Sequence, residues 1–226
     1  MQGLIEKIFP HLPEKLPEFY KAIKDTMIMT GWSGILIFIF GLFLGIVVIV
    51  TKKGGILENK IIFQISDKLI NFFRSIPFII LLAALIPFTR IIMGTAIGIA
   101  GAIVPLVVGT VPFFARQIES ALSEIDDGII EAAQSMGTSS FGIIFRIYLK
   151  EGFAAIVRGT TITIISLIGL TAMAGAVGAG GLGDFAIHAG RDRNRIDIIY
   201  ASVIVLVFIV TLIQLIGDFI AKKSTH

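Results

Sequence analysis

The chain has 226 residues, 55% of them hydrophobic and only 15% charged, with a mean hydropathy of +0.93. A soluble domain carries about 25% charged residues, so a water-soluble globule is excluded by the apolar surface it would have to hide. The absence of cysteine excludes a disulfide framework and a thiolate metal site, and the net charge of +3 reads as Lys and Arg flanking membrane spans rather than as a nucleic-acid surface.

In chain order, residues 1–25 are mixed polar and apolar, with Pro10, Pro13 and Pro17 breaking any long helix and a short amphipathic helix expected over Leu16–Lys24. No cleavable signal peptide is expected there. The first span is expected over about 27–50, an uncharged run long enough for a ~30 Å hydrocarbon core at 1.5 Å per residue. Thr51-Lys52-Lys53-Gly54-Gly55 ends it. An amphipathic stretch, Leu57–Phe73, leads into a short second span, about 69–88, with Arg74 snorkelling to the interface. The third span, about 91–115, contains Pro105 and Pro112, whose freed carbonyls need neighbours.

A hydrophilic stretch over 116–151 follows. Within it Ile125, Ile129, Ile130, Ala133 and Met136 fall at helical spacing and describe a short amphipathic helix. Gly137 is placed to end that helix in a left-handed turn. Thr138, Ser139 or Ser140 is placed to cap the next, Phe141–Tyr148. The result is a helix–turn–helix on a membrane face. Ala132 and Ala133 let another backbone approach closely, and Glu131 is free to cap or to pair with a partner's cation. The same pattern also describes an ordinary interfacial loop. A fourth span, about 152–177, a Gly-rich loop to Asp197, and a fifth span, about 198–220, complete an all-α, polytopic membrane protein of about five transmembrane helices, read as a single domain over 1–226.

Placing 116–151 in the cytoplasm puts the N-terminus outside and the C-terminus inside. Eleven of the nineteen Lys and Arg then lie inside and eight, Lys7 among them, outside, the sense of the positive-inside rule. No Asp, Glu, Lys or His stands in the middle of a span, which argues against a proton-coupled or sodium-coupled carrier. No P-loop is present either. If the chain is a transporter, its energy must then come from elsewhere, and an ATPase would have to be a separate subunit that docks on the cytoplasmic side. A secondary carrier and a passive channel remain open on the residues alone.

The pattern Glu131-Ala132-Ala133, three residues, Gly137, nine residues, Ile147, one residue, Leu149 resembles the EAA motif of ATP-binding-cassette importer permeases. There it forms the coupling helix that inserts into the ATPase subunit. The family commonly has proline after the leucine, where Lys150 stands here. The stretches Arg74–Leu82, Ile86–Arg90, Ile103–Leu106, Ala172–Gly183 and Gln214–Asp218 are similar to the methionine importer permease subfamily. The resemblance implies a homodimer, two ATPase subunits that bind ATP and magnesium, and an extracytoplasmic substrate-binding lipoprotein. It also implies a multi-pass location in the bacterial plasma membrane, among its lipids, with no enzymatic activity and no cofactor in this chain. The pathway, for methionine or a close amino-acid relative, would run along the two-fold axis between spans two to four, with Met173 as a hydrophobic gate whose flexible thioether can plug a narrow pore. Another small solute is the alternative within the family.

Other motifs are set aside. Gly178–Gly183 matches GxGxxG but follows an apolar span rather than a strand. Gly181-Leu182-Gly183-Asp184 resembles the GxGD of intramembrane aspartyl proteases, yet a second intramembrane Asp is missing. His11, His188 and His226 are too scattered for a metal site. Arg191, Asp192, Arg193, Asn194 and Arg195 read as a solvated outer cluster or as a contact for a binding protein. Gly94, Gly98, Gly101, Gly109, Gly169, Ala172 and Gly175 form a small-residue stripe fit for close helix packing.

Overall fold

Among the described residues four helices are long and apolar enough to cross a membrane, and shorter helical pieces connect them. The structure, a computed structural model, describes residues 9–224; Lys7 and His226 lie outside the described residues. A 3-10 turn, Pro13–Lys15, opens into α1 (Leu16–Thr51). Then follow α2 (Lys60–Arg74), α3 (Phe78–Ala84), α4 (Ile86–Met93), α5 (Gly98–Ser123), α6 (Asp127–Ser135) and α7 (Ser140–Ile143). The chain continues through a π-helical turn, Ile144–Tyr148, into α8 (Phe153–Ala174), α9 (Gly181–Phe185) and α10 (Ile196–Lys223).

Several expected boundaries are corrected. The first span does not begin after a separate amphipathic helix: α1 runs unbroken from Leu16, because Pro17 falls in its first turn, where no intrahelical N–H is needed. The second span, expected over 69–88, is not one helix. It ends at Arg74, resumes after Pro77 and pauses again at Leu85. A hydropathy window sees only apolar side chains, whereas Pro77 lacks the N–H that would continue the ladder. The third span starts at Gly98 rather than 91, since Gly94 terminates α4 at φ +73°, and it reaches Ser123, so the first residues of the hydrophilic stretch are still helical.

The chain divides into two units, one formed by residues up to Ile35, Pro77–Val107 and Ile164–Ile213, the other by Leu36–Ile76, Val108–Thr163 and Gln214 onward. In the first, Leu12, Phe19 and Ala22 pack with Leu182, Phe185, Ala189, Ile198 and Ala201 in one buried cluster. The His11 amide donates to Asp197 Oδ2 at 2.8 Å, its ring nitrogen lies 3.0 Å from Oδ1, and Arg195 pairs with Glu14 at 3.6 Å. The segment before α1 is thereby strapped to the start of α10. Within the cluster the Leu182 amide donates to the buried Thr26 hydroxyl at 2.8 Å.

The Gly178–Asp197 segment, expected as a loop, is mostly helical. It is also tightly folded: a Cβ at Gly175 would stand 2.6 Å from the Asp184 amide nitrogen, and one at Gly183 would be driven into the Ala172 carbonyl. Within the small-residue stripe, Gly175 and Gly101 show such close approach inside the chain. A Cβ added at Gly94, Gly98 or Gly169 would meet nothing within 4 Å.

In the second unit, Val48, Ile70 and Ala115 are fully or nearly fully buried together, with Leu44 and Phe63 packed against them. Arg116 on α5 donates to Asp67 and Asn71 on α2 and to Glu119 one turn on. A cation shared by two carboxylates and an amide is a satisfied, charge-assisted network that ties α2 to α5.

Candidate coupling hairpin and gate

The hairpin is specified by its caps. Asp126 accepts from the Gly128 amide at 2.7 Å and starts α6. At the other end Thr138 N–H donates to Ala133 O at 3.0 Å and Gly137 N–H to Gln134 O at 2.9 Å. That pair of bonds is a Schellman motif, and it requires the left-handed conformation that Gly137 adopts, φ +76°. Ser139 then caps α7 by accepting from the Gly142 amide at 3.2 Å. Of the three candidate caps, Ser139 is the one used. Lys150 sits in the helical turn Leu149–Glu151, where Gly152 N–H closes onto Tyr148 O at 3.0 Å.

The two alanines face opposite ways. Ala133 is buried with Ile130, whereas Ala132 is exposed beside Glu131, whose carboxylate has no hydrogen-bond or ion-pair partner among the described residues. Ile147 and Leu149 are half-buried rather than presented. Tyr148 is buried, and that burial, with the Asp127 carboxylate adding to it, raises its phenol above the ordinary value.

Not all of the expected apolar face of α6 turns inward. Ile129 and Met136 are exposed, and so are Phe141 and Phe145, at 72% and 65%. Four large apolar side chains are thus left in the open on the hairpin that carries Glu131 and Ala132, the kind of exposure that contact surfaces show. The i, i+4 spacing of Phe141 and Phe145 was a readable sign of it. An open cleft of about 320 Å³ lies at the base of the hairpin, with Glu124, Asp126, Glu151 and Arg158 on its walls.

Met173 belongs to the other unit. It is in the last turn of α8 and 43% exposed. Immediately after it the helix loosens into a π-helical turn, Gly175–Ala179, and leaves helical geometry at Val177 and at Gly178, φ +95°. An apolar groove of about 270 Å³ runs one turn before it, with Gly169 and Ala172 facing Leu206 and Val210. Among the described residues no group of His, Asp or Glu is arranged to hold a metal ion.

A helical protein with several long apolar spans and a capped hairpin between two of them has the build of a membrane transport subunit. Comparison makes the class specific. Residues 37–224 match the family described as the binding-protein-dependent transport system inner membrane component. The chain belongs to that family, and so is an inner membrane component of a transport system. It is 44% identical to the probable D-methionine transport system permease protein MetI of Vibrio cholerae, over 91% of each chain. With the methionine import system permease protein MetP of Bacillus subtilis it shares 42% over 97% of this chain and 98% of the relative. Among solved structures, an inward-facing form of the MetNI methionine ABC transporter superposes with a TM-score of 0.92 at 42% identity, covering 94% of this chain and 99% of that one. An amino acid ABC transporter solved with histidines shares the fold at a TM-score of 0.78 and 16% identity.

Proposed function

We propose that this chain is the permease subunit of an ATP-driven importer of methionine, working as a homodimer on two ATPase subunits that carry the ATP and magnesium and receiving its solute from an extracytoplasmic binding protein. The observation that carries this reading is identity of 42–44% to methionine permeases over more than nine tenths of each chain. The chain acts as one transmembrane domain. The hairpin around Glu131, Ala132, Ala133 and Gly137, backed by Ile147 and Leu149, is the handle for the ATPase and lies in the cytoplasm. The N-terminus is then outside and the C-terminus inside.

The geometry suits that role. A coupling element must transmit force without bending, and α6 is short, capped at both ends and bedded through Ile130 and Ala133. Glu131 and Ala132, on the same hairpin as the exposed Met136, Phe141 and Phe145, offer one unpaired charge together with apolar contact surface. Met173 is the gate. Its exposed thioether closes the pathway at a point where the following π-turn and Gly178 let the chain reorient.

The test is reconstitution in liposomes with the cognate ATPase and binding protein. Methionine uptake that needs both partners and ATP is expected. Uptake by this chain alone would replace the reading with a secondary carrier, and uptake of a different solute in preference to methionine would replace the substrate.

A further inference from the structure

Only the short connection Glu124–Asp126 separates the end of α5 from the start of α6 in the hairpin. That end of α5 is closely packed on two sides within its unit. A Cβ added at Gly45 on α1 would stand 2.6 Å from the Ile118 Cβ, and one added at Gly159 on α8 would stand 3.2 Å from the Gln117 Cβ. Helices in such close contact have no room to shift singly, so they move as one body.

Helix α2, in the same unit, is held differently. Of its 15 residues only Ser66 and Ile70 are buried. Ile70 packs with Val48 and Ala115, and Phe63 joins that cluster half-buried, whereas Ile61, Ile65 and Phe72 are exposed. Apolar contact is non-directional, so a patch of this size does little to fix the register of α2 against α5.

The polar contacts supply what the apolar patch lacks. Arg116 stands about two turns before the end of α5. Its Nη2 donates to Asp67 and, at 3.0 Å, to the Asn71 Oδ1, while the Asn71 Nδ2 donates to Asp67 Oδ2 at 3.1 Å. Asp67 and Asn71 lie one turn apart on α2, so one guanidinium grips that helix at two points along its axis. Charge-assisted hydrogen bonds are directional and fix geometry. The grip is not needed to neutralise the cation: Glu119, one turn on in α5 itself, accepts from Arg116 Nη1. The second carboxylate therefore serves the joint between the helices rather than the charge of Arg116.

We propose that Arg116 is a positioning residue for coupling: its grip on Asp67 and Asn71 makes α2 follow α5 when the ATPase moves the hairpin. This rests on the reading of the hairpin as the handle for the ATPase. The movement is handed along α2 to the break before Pro77, where the helical ladder is interrupted. Without the grip the hairpin still docks and moves α5, but α2 slips against it, and ATP is spent without a matching movement of the second span.

The test uses the complete transporter in liposomes, with ATP-driven uptake of radiolabelled methionine and ATP hydrolysis measured together for wild type, Asp67→Asn and Asp67→Glu. Asp67→Asn keeps the shape of the side chain and leaves Arg116 paired with Glu119, so no buried charge is orphaned. It is expected to lower methionine carried per ATP by about threefold or more, with ATP hydrolysis and co-purification of the ATPase at wild-type levels. Asp67→Glu keeps the carboxylate and retains a larger share of the ratio. A wild-type ratio in Asp67→Asn overturns the proposal. A parallel fall of uptake, hydrolysis and co-purification also overturns it, because it makes the joint a folding contact alone. A wild-type complex in which ATP drives no methionine uptake sinks the permease reading itself, which separates the two failures.

Discussion

The hairpin after α5 and the glycine segment after α8 look alike in sequence, both being polar or glycine-rich connections between apolar runs, yet they are built in opposite ways. At Gly137 a Cβ would meet nothing within 4 Å; glycine is there only for its backbone conformation. At Gly175 and Gly183 the space is already filled by backbone of the same chain. The hairpin is thus shaped by local hydrogen bonds and keeps its outer surface free. The glycine segment is shaped by close approach and spends its surface on itself. A connection that must be gripped by another protein cannot also be packed tightly into its own.

The sharpest way to break this contrast is to add carbon at each glycine. Gly183→Val places side-chain atoms in the Ala172 carbonyl, which cannot move without unwinding α8, and is expected to cost about 3 kcal/mol or more. Little monodisperse protein should be recovered from membranes. Gly137→Ala meets only the left-handed backbone penalty, about 1–2 kcal/mol. It should insert and purify normally, with a modestly lower thermal midpoint. Equal recovery of the two variants would erase the distinction.

The two alanines of the hairpin sharpen it further. Ala133→Leu overfills the space beside Ile130 and is expected to destabilise by about 1–3 kcal/mol. Ala132→Leu should leave stability unchanged within about 0.5 kcal/mol, as an exposed substitution does, yet abolish co-purification of the ATPase. If Ala132→Leu still binds the ATPase at wild-type levels, the exposed side of α6 is not the docking face.

The smallest expected effect falls at the other region. Met173→Ala removes a half-exposed side chain and should leave insertion and assembly intact. It should raise ATP hydrolysis in the absence of the binding protein. Unchanged basal hydrolysis would leave Met173 as a packing residue and confine function to the hairpin side of the comparison.

Much of this was legible in the residues. The uncharged run before Lys52-Lys53 could only be a membrane helix, and Gly137 followed by Thr138-Ser139 announced a helix end and a new cap. The second span misled, because apolar content between Leu69 and Phe88 hid the backbone break that Pro77 imposes. The segment from Gly178 to Asp197 misled as well: its polar and glycine-rich composition reads as a loop, but Leu182 and Phe185 find Phe19 and Ala22 more than 150 residues earlier. Met173 was selected by resemblance, and its exposure is the one feature of it that the fold supplies.

By itself the sequence determined the solvent of the protein, the apolar middle of each long helix and the turn at Gly137, because each of these is decided by contiguous apolar length or by the φ preference of one residue. Which alanine is presented, which glycines are filled, and which arginine finds carboxylates were decided by tertiary structure alone. Those outcomes depend on what a distant segment brings to within a few ångströms, and no local pattern carries that information.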